Sequence, residues 1–339
     1  CFSFYFIQNI SKSSLEYLAL DELEGRSTGS KGIEKAAIYI ENLFKENNIK
    51  PYFETYRDSF NVKDVIGYNV VGFIEGNDPD LKNEFVILGA HYDHIGRAKT
   101  VDGDSIANGA NDDASGTVAV LEWAKYFSKT KNNKRSILFT LFSAEEMGLK
   151  GSGHLSERLK NANLDLYTMI NFEMIGVPRA ENEIMAYISG HDLSNMAKKL
   201  NTYTNTEIVG FLPQAKSYEL FKRSDNFPFY NQFGIPAHAI STFDFTNFDY
   251  YHHVDDEADK MDFTVTDRDV GMTVGMTGAI GEKTKKENTR EIGVHPTEVK
   301  PKKTGPKGAN QTFDLPGTKT KEVSTGGKVD TPKYSKDAK

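Results

Sequence analysis

The run Ser136-Ile-Leu-Phe-Thr-Leu-Phe-Ser143 is apolar at successive positions, so a strand built from it turns apolar side chains to both faces of a sheet. Both faces must be covered, which restricts the chain to a layered α/β arrangement. The run leads straight into Glu145 and Glu146. Two carboxylates at the mouth of a buried strand repel each other and lose water. A metal ion on one carboxylate, with a proton moving on the other, offsets that cost, although taken alone the pair is also what a solvated turn carries.

The surrounding pattern extends the same architecture. Leu15, Leu18 and Leu20, then Ile33, Ala36, Ala37, Ile40, Leu43 and Phe44, predict two helices between 13 and 48, joined by the turn 24–30. Strands are expected at 64–74, 84–90, 136–143, 166–172, 184–188 and 235–240. Helices are expected at 114–128, 151–160, 192–200, 225–231 and 266–280. Strands alternating with helices imply a mixed, mostly parallel central sheet with helices on both faces.

Charge is uneven along the chain. Residues 283–339 hold 14 Lys+Arg against 7 Asp+Glu, which leaves 27 against 41 for residues 1–282. The acidic body argues against nucleic acid as a partner and suits cations or amines. The basic stretch is rich in Lys, Thr, Gly and Pro, with Phe313 and Tyr334 its only aromatics, and reads as a disordered tail. The expected organisation is therefore a lead at 1–11, a folded body at 12–282 and a tail at 283–339.

Cys1 is the only cysteine, so neither an internal disulfide nor a multi-thiolate metal site can form. A chain beginning with Cys reads as processed or truncated, and Cys1 is a candidate lipid anchor, while the apolar Phe2–Ile7 suits a signal remnant equally well. No stretch approaches the ~20 apolar residues of a transmembrane span.

Metal-ligand residue types recur where strands should end. His91 and Asp93 follow 85–90, Asp112 and Asp113 precede the helix at 114–128, Glu145 and Glu146 follow 136–143, Glu173 follows 166–172, and His252 and His253 come later. In open α/β sheets, sites form beyond the carboxyl ends of the strands, so separated residues can converge there. Two imidazoles and three carboxylates total about −3, whereas two divalent ions bring about +4 and balance the pocket. Five ligands give each ion three only if one carboxylate bridges. Oxygen and imidazole donors without thiolate suit zinc, with cobalt or manganese also compatible.

The motifs His91-Tyr-Asp-His, Gly109-Ala-Asn-Asp-Asp-Ala-Ser-Gly, Ser143-Ala-Glu-Glu-Met-Gly-Leu, Asn171-Phe-Glu-Met-Ile-Gly and Tyr251-His resemble, in order, the metal motifs of the M28 family of zinc metallopeptidases, the co-catalytic aminopeptidases. Leu18–Ser30 is similar to that family's opening, and the likeness covers about residues 12–282 as one catalytic domain with a three-layer sandwich. The resemblance implies two zinc ions, one held by His91, Asp112 and Glu173, the other by Asp112, Glu146 and His252. It also implies Glu145 as general base, Asp93 as the carboxylate orienting His91, and a cis Asp112-Asp113 peptide bond. Glu173 departs from the Asp of many members and reaches one methylene farther. His94 is an alternative to His91 but matches a pocket or supporting residue. His253 should point away from the site, and His154, His191, His238 and His295 belong to no motif.

The expected function is release of N-terminal residues from peptides with a free α-amino group, in an extracytoplasmic setting, whether secreted, periplasmic or membrane-anchored. The aromatic stretch 243–251 is a candidate side-chain pocket. A glutaminyl cyclase would use one zinc. A carboxypeptidase or dipeptidase would need a base such as Arg97 or Arg223 for a substrate carboxylate. A receptor-like module would have lost ligands.

Overall fold

Strand β7 (Ser136–Phe142), buried at every position, lies near the middle of a mixed sheet in this computed structural model. The structure describes residues 12–179, 185–262 and 292–293. Along the chain come α1 (residues 12–18), a 3-10 turn (Asp21–Arg26), α2 (Lys31–Glu46), β1 (Lys50–Pro51), β2 (Arg57–Val62), β3 (Val65–Ile74), β4 (Glu84–His91), β5 (Gly96–Val101) and β6 (Asp104–Ala107). They continue with α3 (Gly116–Thr130), β7, α4 (Lys150–Asn161), β8 (Asp165–Phe172), β9 (Ala186–Ile188), α5 (Met196–Thr204), β10 (Val209–Gly210), α6 (Asn226–Phe233) and β11 (Ala237–Ser241).

The main sheet runs β1-β3-β7-β4-β8-β11-β9-β10, with β2 also paired to β3. β7, β4, β8 and β11 are mutually parallel, whereas β3 is antiparallel to β7 and β9 to β11. Alternation along the strands divides the core. Ile137, Phe139 and Leu141 pack with α2, α3 and α5 on one face, while Leu138 and Phe142 pack with α4 and α6 on the other. The expected helix-covered mixed sheet is the observed fold.

Local signals explain the element ends. The Ser30 hydroxyl caps α2 by accepting from the Ile33 amide at 3.2 Å, and left-handed Gly234 stops α6. Two features escaped the sequence pattern. β2 hides Asp58 where alternation calls for an apolar residue, because Asn69, His154 and Arg158 converge on that buried carboxylate. The hairpin β5–β6 is mostly polar and forms a separate two-stranded sheet. The expected helix at 266–280, the lead at 1–11 and the tail at 283–339 fall outside the described residues except at 292–293, and the expected strand start at 184 is likewise outside them. Among the described residues no helix is long and apolar enough to cross a membrane.

Candidate metal centre

The carboxyl ends of β4, β7, β8 and β11 share one edge of the sheet because these strands are parallel. His91 closes β4, Glu145 and Glu146 occupy the turn after β7, and Glu173 follows β8 directly. Asp112 enters from the turn before α3, and His252 from the loop after β11. The Asp112-Asp113 peptide is cis. Gly109 stands at φ +59°, and a Cβ there would lie 2.6 Å from the His94 ring, so this turn and that ring close together only around a glycine.

Asp112 sits between two groups of donors. Its Oδ1 is 3.2 Å from His91 Nε2, which lies 3.5 Å from Glu173 Oε1. Its Oδ2 is 3.2 Å from His252 Nε2, which lies 3.3 Å from Glu146 Oε1. His94 joins the second group, with Nδ1 2.9 Å from Glu146 Oε1 and 3.8 Å from Asp112 Oδ2. Within each group one donor atom per residue lies within 4.8 Å of all the others.

The donor atoms of the second group face one another without satisfying one another. Both His94 ring nitrogens, Glu146 Oε1 and His252 Nε2 are buried and make no hydrogen bond. Orphaned buried polar atoms are costly, and a cation that all of them can ligate removes the cost. The residues therefore fit divalent ions, with oxygen and imidazole donors of the kind zinc accepts.

Charge points the same way. Burial pushes the Asp112 carboxyl up, but His94, His252 and His91 outweigh it and hold the group well below its ordinary value. Glu146, pushed up by burial and by Asp112, is brought down to about 2 by His252 and His94. Burial pulls His252 down, yet the nearby carboxylates of Asp112 and Glu146 carry it to about 10. Glu145 behaves differently: burial drives its carboxyl well up against the pull of His91, and Glu146, Asp225 and Glu173 add to the rise. Its half-buried carboxyl lines the cavity beside the donor groups.

A supporting frame fixes the site. His91 Nδ1 lies 3.0 Å from the Asp93 backbone oxygen and 3.6 Å from its carboxylate, so the main chain makes the shorter contact with the far ring nitrogen. The Asp93 carboxylate accepts instead from the Glu145 amide at 3.2 Å and the Thr28 hydroxyl at 3.2 Å. Asp113 Oδ1 accepts from the Gly116 and Met174 amides, tying the Asp112 turn to the end of β8. The Ser224 hydroxyl donates to Glu173 Oε2 at 2.6 Å.

Two frame residues were missed as site residues. Fully buried Arg26 donates to the carbonyls of Leu18, Tyr92, Asn108 and Gly109, pinning the chain beside His91 and Asp112. Asp256 accepts from the amides of Asn111 and Asp112, and burial pushes its carboxyl up to about 7. Arg26 lies inside the family-like opening segment, so its signal was present without a stated role. Asp256, three residues before Asp259 in an acidic loop, had none.

The remaining histidines lie elsewhere. His253 accepts from the Asp255 amide, His154 meets Asp58, His191 meets Asp192, and His238 lies between Ser189 and Ser194. His295 is outside the described residues.

Fold and donor geometry together define an α/β protein with two adjoining groups of metal-ligand side chains at the carboxyl edge of its sheet. Its sequence matches the profile of Peptidase family M28 over residues 69–274, and the chain belongs to that family. A probable zinc metalloprotease of Pyrenophora teres f. teres is 40% identical over 114 residues, 33% of this chain and 23% of that protein. A probable leucine aminopeptidase of Trichophyton verrucosum is 29% identical over 63% of this chain and 56% of its own length. The chain thus spans between about a quarter and about half of these relatives. The Legionella pneumophila LapA aminopeptidase structure superposes with a TM-score of 0.64 at 20% identity, covering 82% of this chain and 70% of that one. A glutaminyl cyclase from Fimbriiglobus ruber gives 0.62 at 17%, covering 80% and 95%, so the fold is common to both activities.

Proposed function

We propose that the protein is a zinc-dependent aminopeptidase that binds two ions. His91, Asp112 and Glu173 would hold one ion; Asp112, Glu146 and His252 the other. The observation carrying this reading is that the two oxygens of Asp112 face separate donor groups. One metal, as a cyclase would use, leaves one of those groups unbalanced.

When bound, such ions supply Lewis acidity that acidifies water and polarises a carbonyl. The chain's own residues do the rest. Glu145, half-buried in the cavity beside both groups, accepts a proton from the attacking water and returns it to the leaving amine. Asp93 fixes the backbone at Glu145, so the carboxyl stays at the reacting centre. Asp112, Glu145, Glu146 and Glu173 line the cavity, and carboxylates there favour a protonated α-amino group.

Metal analysis run beside a panel of free and N-blocked amino-acid amides tests this reading. Two ions per chain and cleavage restricted to free amines support it. Equal cleavage of blocked substrates removes the aminopeptidase assignment, and one tight ion with cyclisation of N-terminal glutamine favours the cyclase.

A further inference from the structure

The cavity beside the donor groups contains one guanidinium. Arg223 lines it with Leu220, Phe243, Phe245 and Tyr251, and no other Lys or Arg among the described residues does so. Its side chain is half-buried and has no hydrogen-bond or ion-pair partner among the described residues. That sets it apart. Arg57 holds Glu34 and Glu41, Arg135 holds Glu84, Arg158 holds Asp58, and adjacent Lys222 pairs with Glu219. Arg97 lies on β5 against Ser105, outside the cavity lining.

A partly desolvated charge without a partner is costly, and a guanidinium is a planar fork matched to a carboxylate. The backbone carrying Arg223 is also fixed. Its amide donates to Leu220 at 3.1 Å, and the next residue, Ser224, bonds Glu173. The cation is therefore held in the same cavity as the donor groups, amid aromatic walls.

We propose that Arg223 anchors a substrate carboxylate lying close to the scissile bond, supplied either by the C-terminus of a dipeptide or by an acidic N-terminal side chain. The proposal rests on the aminopeptidase reading for where the scissile bond lies.

Two matched pairs given to the zinc-loaded full chain test it: leucyl-glycine against leucyl-glycinamide, and glutamic acid α-amide against glutamine α-amide. The acid member of one pair should be favoured by about 10- to 100-fold in kcat/KM, mostly through KM. The first pair assigns the carboxylate to the C-terminus, the second to the side chain. Arg223→Met should collapse the ratio towards one, and Arg223→Lys should restore part of it. Equal rates within both wild-type pairs, or a ratio unchanged in Arg223→Met, overturns the proposal.

If none of the four compounds is turned over, the aminopeptidase reading fails by itself. Calorimetric binding of the same compounds then decides the role of Arg223: an acid preference lost in Arg223→Met supports it, and no preference overturns it.

Discussion

The two halves of the metal cradle are built differently. The His91–Glu173 half is fixed on strand ends: His91 is 1% exposed and held through its far nitrogen, and Glu173 is held by Ser224. The His252–Glu146 half relies on a loop residue that is 34% exposed, and its nitrogen and oxygen atoms lack hydrogen bonds. Hydrogen bonds orient the first half before anything binds, whereas the second depends on what it binds. Preorganised ligands lose less freedom on coordination, so the first half should hold its ion more tightly.

Glu145 lines the cavity with residues of both halves and gives the largest expected effect. Glu145→Gln should retain both ions yet lose at least ~10³ in turnover, measured by metal content and kcat together. Near-normal activity would remove it as the base.

The preorganised half can be broken at its frame. Arg26→Leu leaves four carbonyls without their donor and several aspartates without a nearby cation, so unfolding stability should fall by about 3 kcal/mol. Chemical denaturation reads this, and an unchanged midpoint would show that the clamp is dispensable.

Strand β11, which leads into the loop of His252, should be acid-sensitive. Burial lowers His238 from 6.5 to about 4, so between these values the unfolded chain binds the extra proton. Stability should therefore decline as pH falls from 6.5 towards 4 and lose no more from this group below that, by about 3 kcal/mol in all. His238→Gln should flatten that part of the stability–pH curve, and an unchanged slope would place the acid sensitivity elsewhere.

The smallest effects compare the halves directly. Ser224→Ala and His94→Gln should weaken the first and second ion respectively by about tenfold, read by competition with a chelator. If His94→Gln weakens both ions equally, the division at Asp112 is wrong.

Much of this was legible in residue order. The apolar run at β7, broken only by Thr140 after Ser136, required a covered sheet, and donor types recurring after successive strands marked where a site would form. Other parts were hidden by their own chemistry. Asp58 reads as a surface residue until Asn69, His154 and Arg158 surround it, and polar β5–β6 lacks the alternation that marks a half-buried hairpin. His94 looked like a supporting residue, yet its ring reaches the second donor group.

Sequence by itself determined the fold class, the family and the stretches of chain where donor-type residues recur, because these depend on local patterning and short motifs. Tertiary structure decided how the donors divide around Asp112, that Arg26 and Asp256 hold the turn in place, and that Arg223 faces the cavity without a hydrogen-bond or ion-pair partner among the described residues. Those relations join residues as far as 145 positions apart, as Asn111 and Asp256 are, and only strand order and packing bring such residues within hydrogen-bond reach.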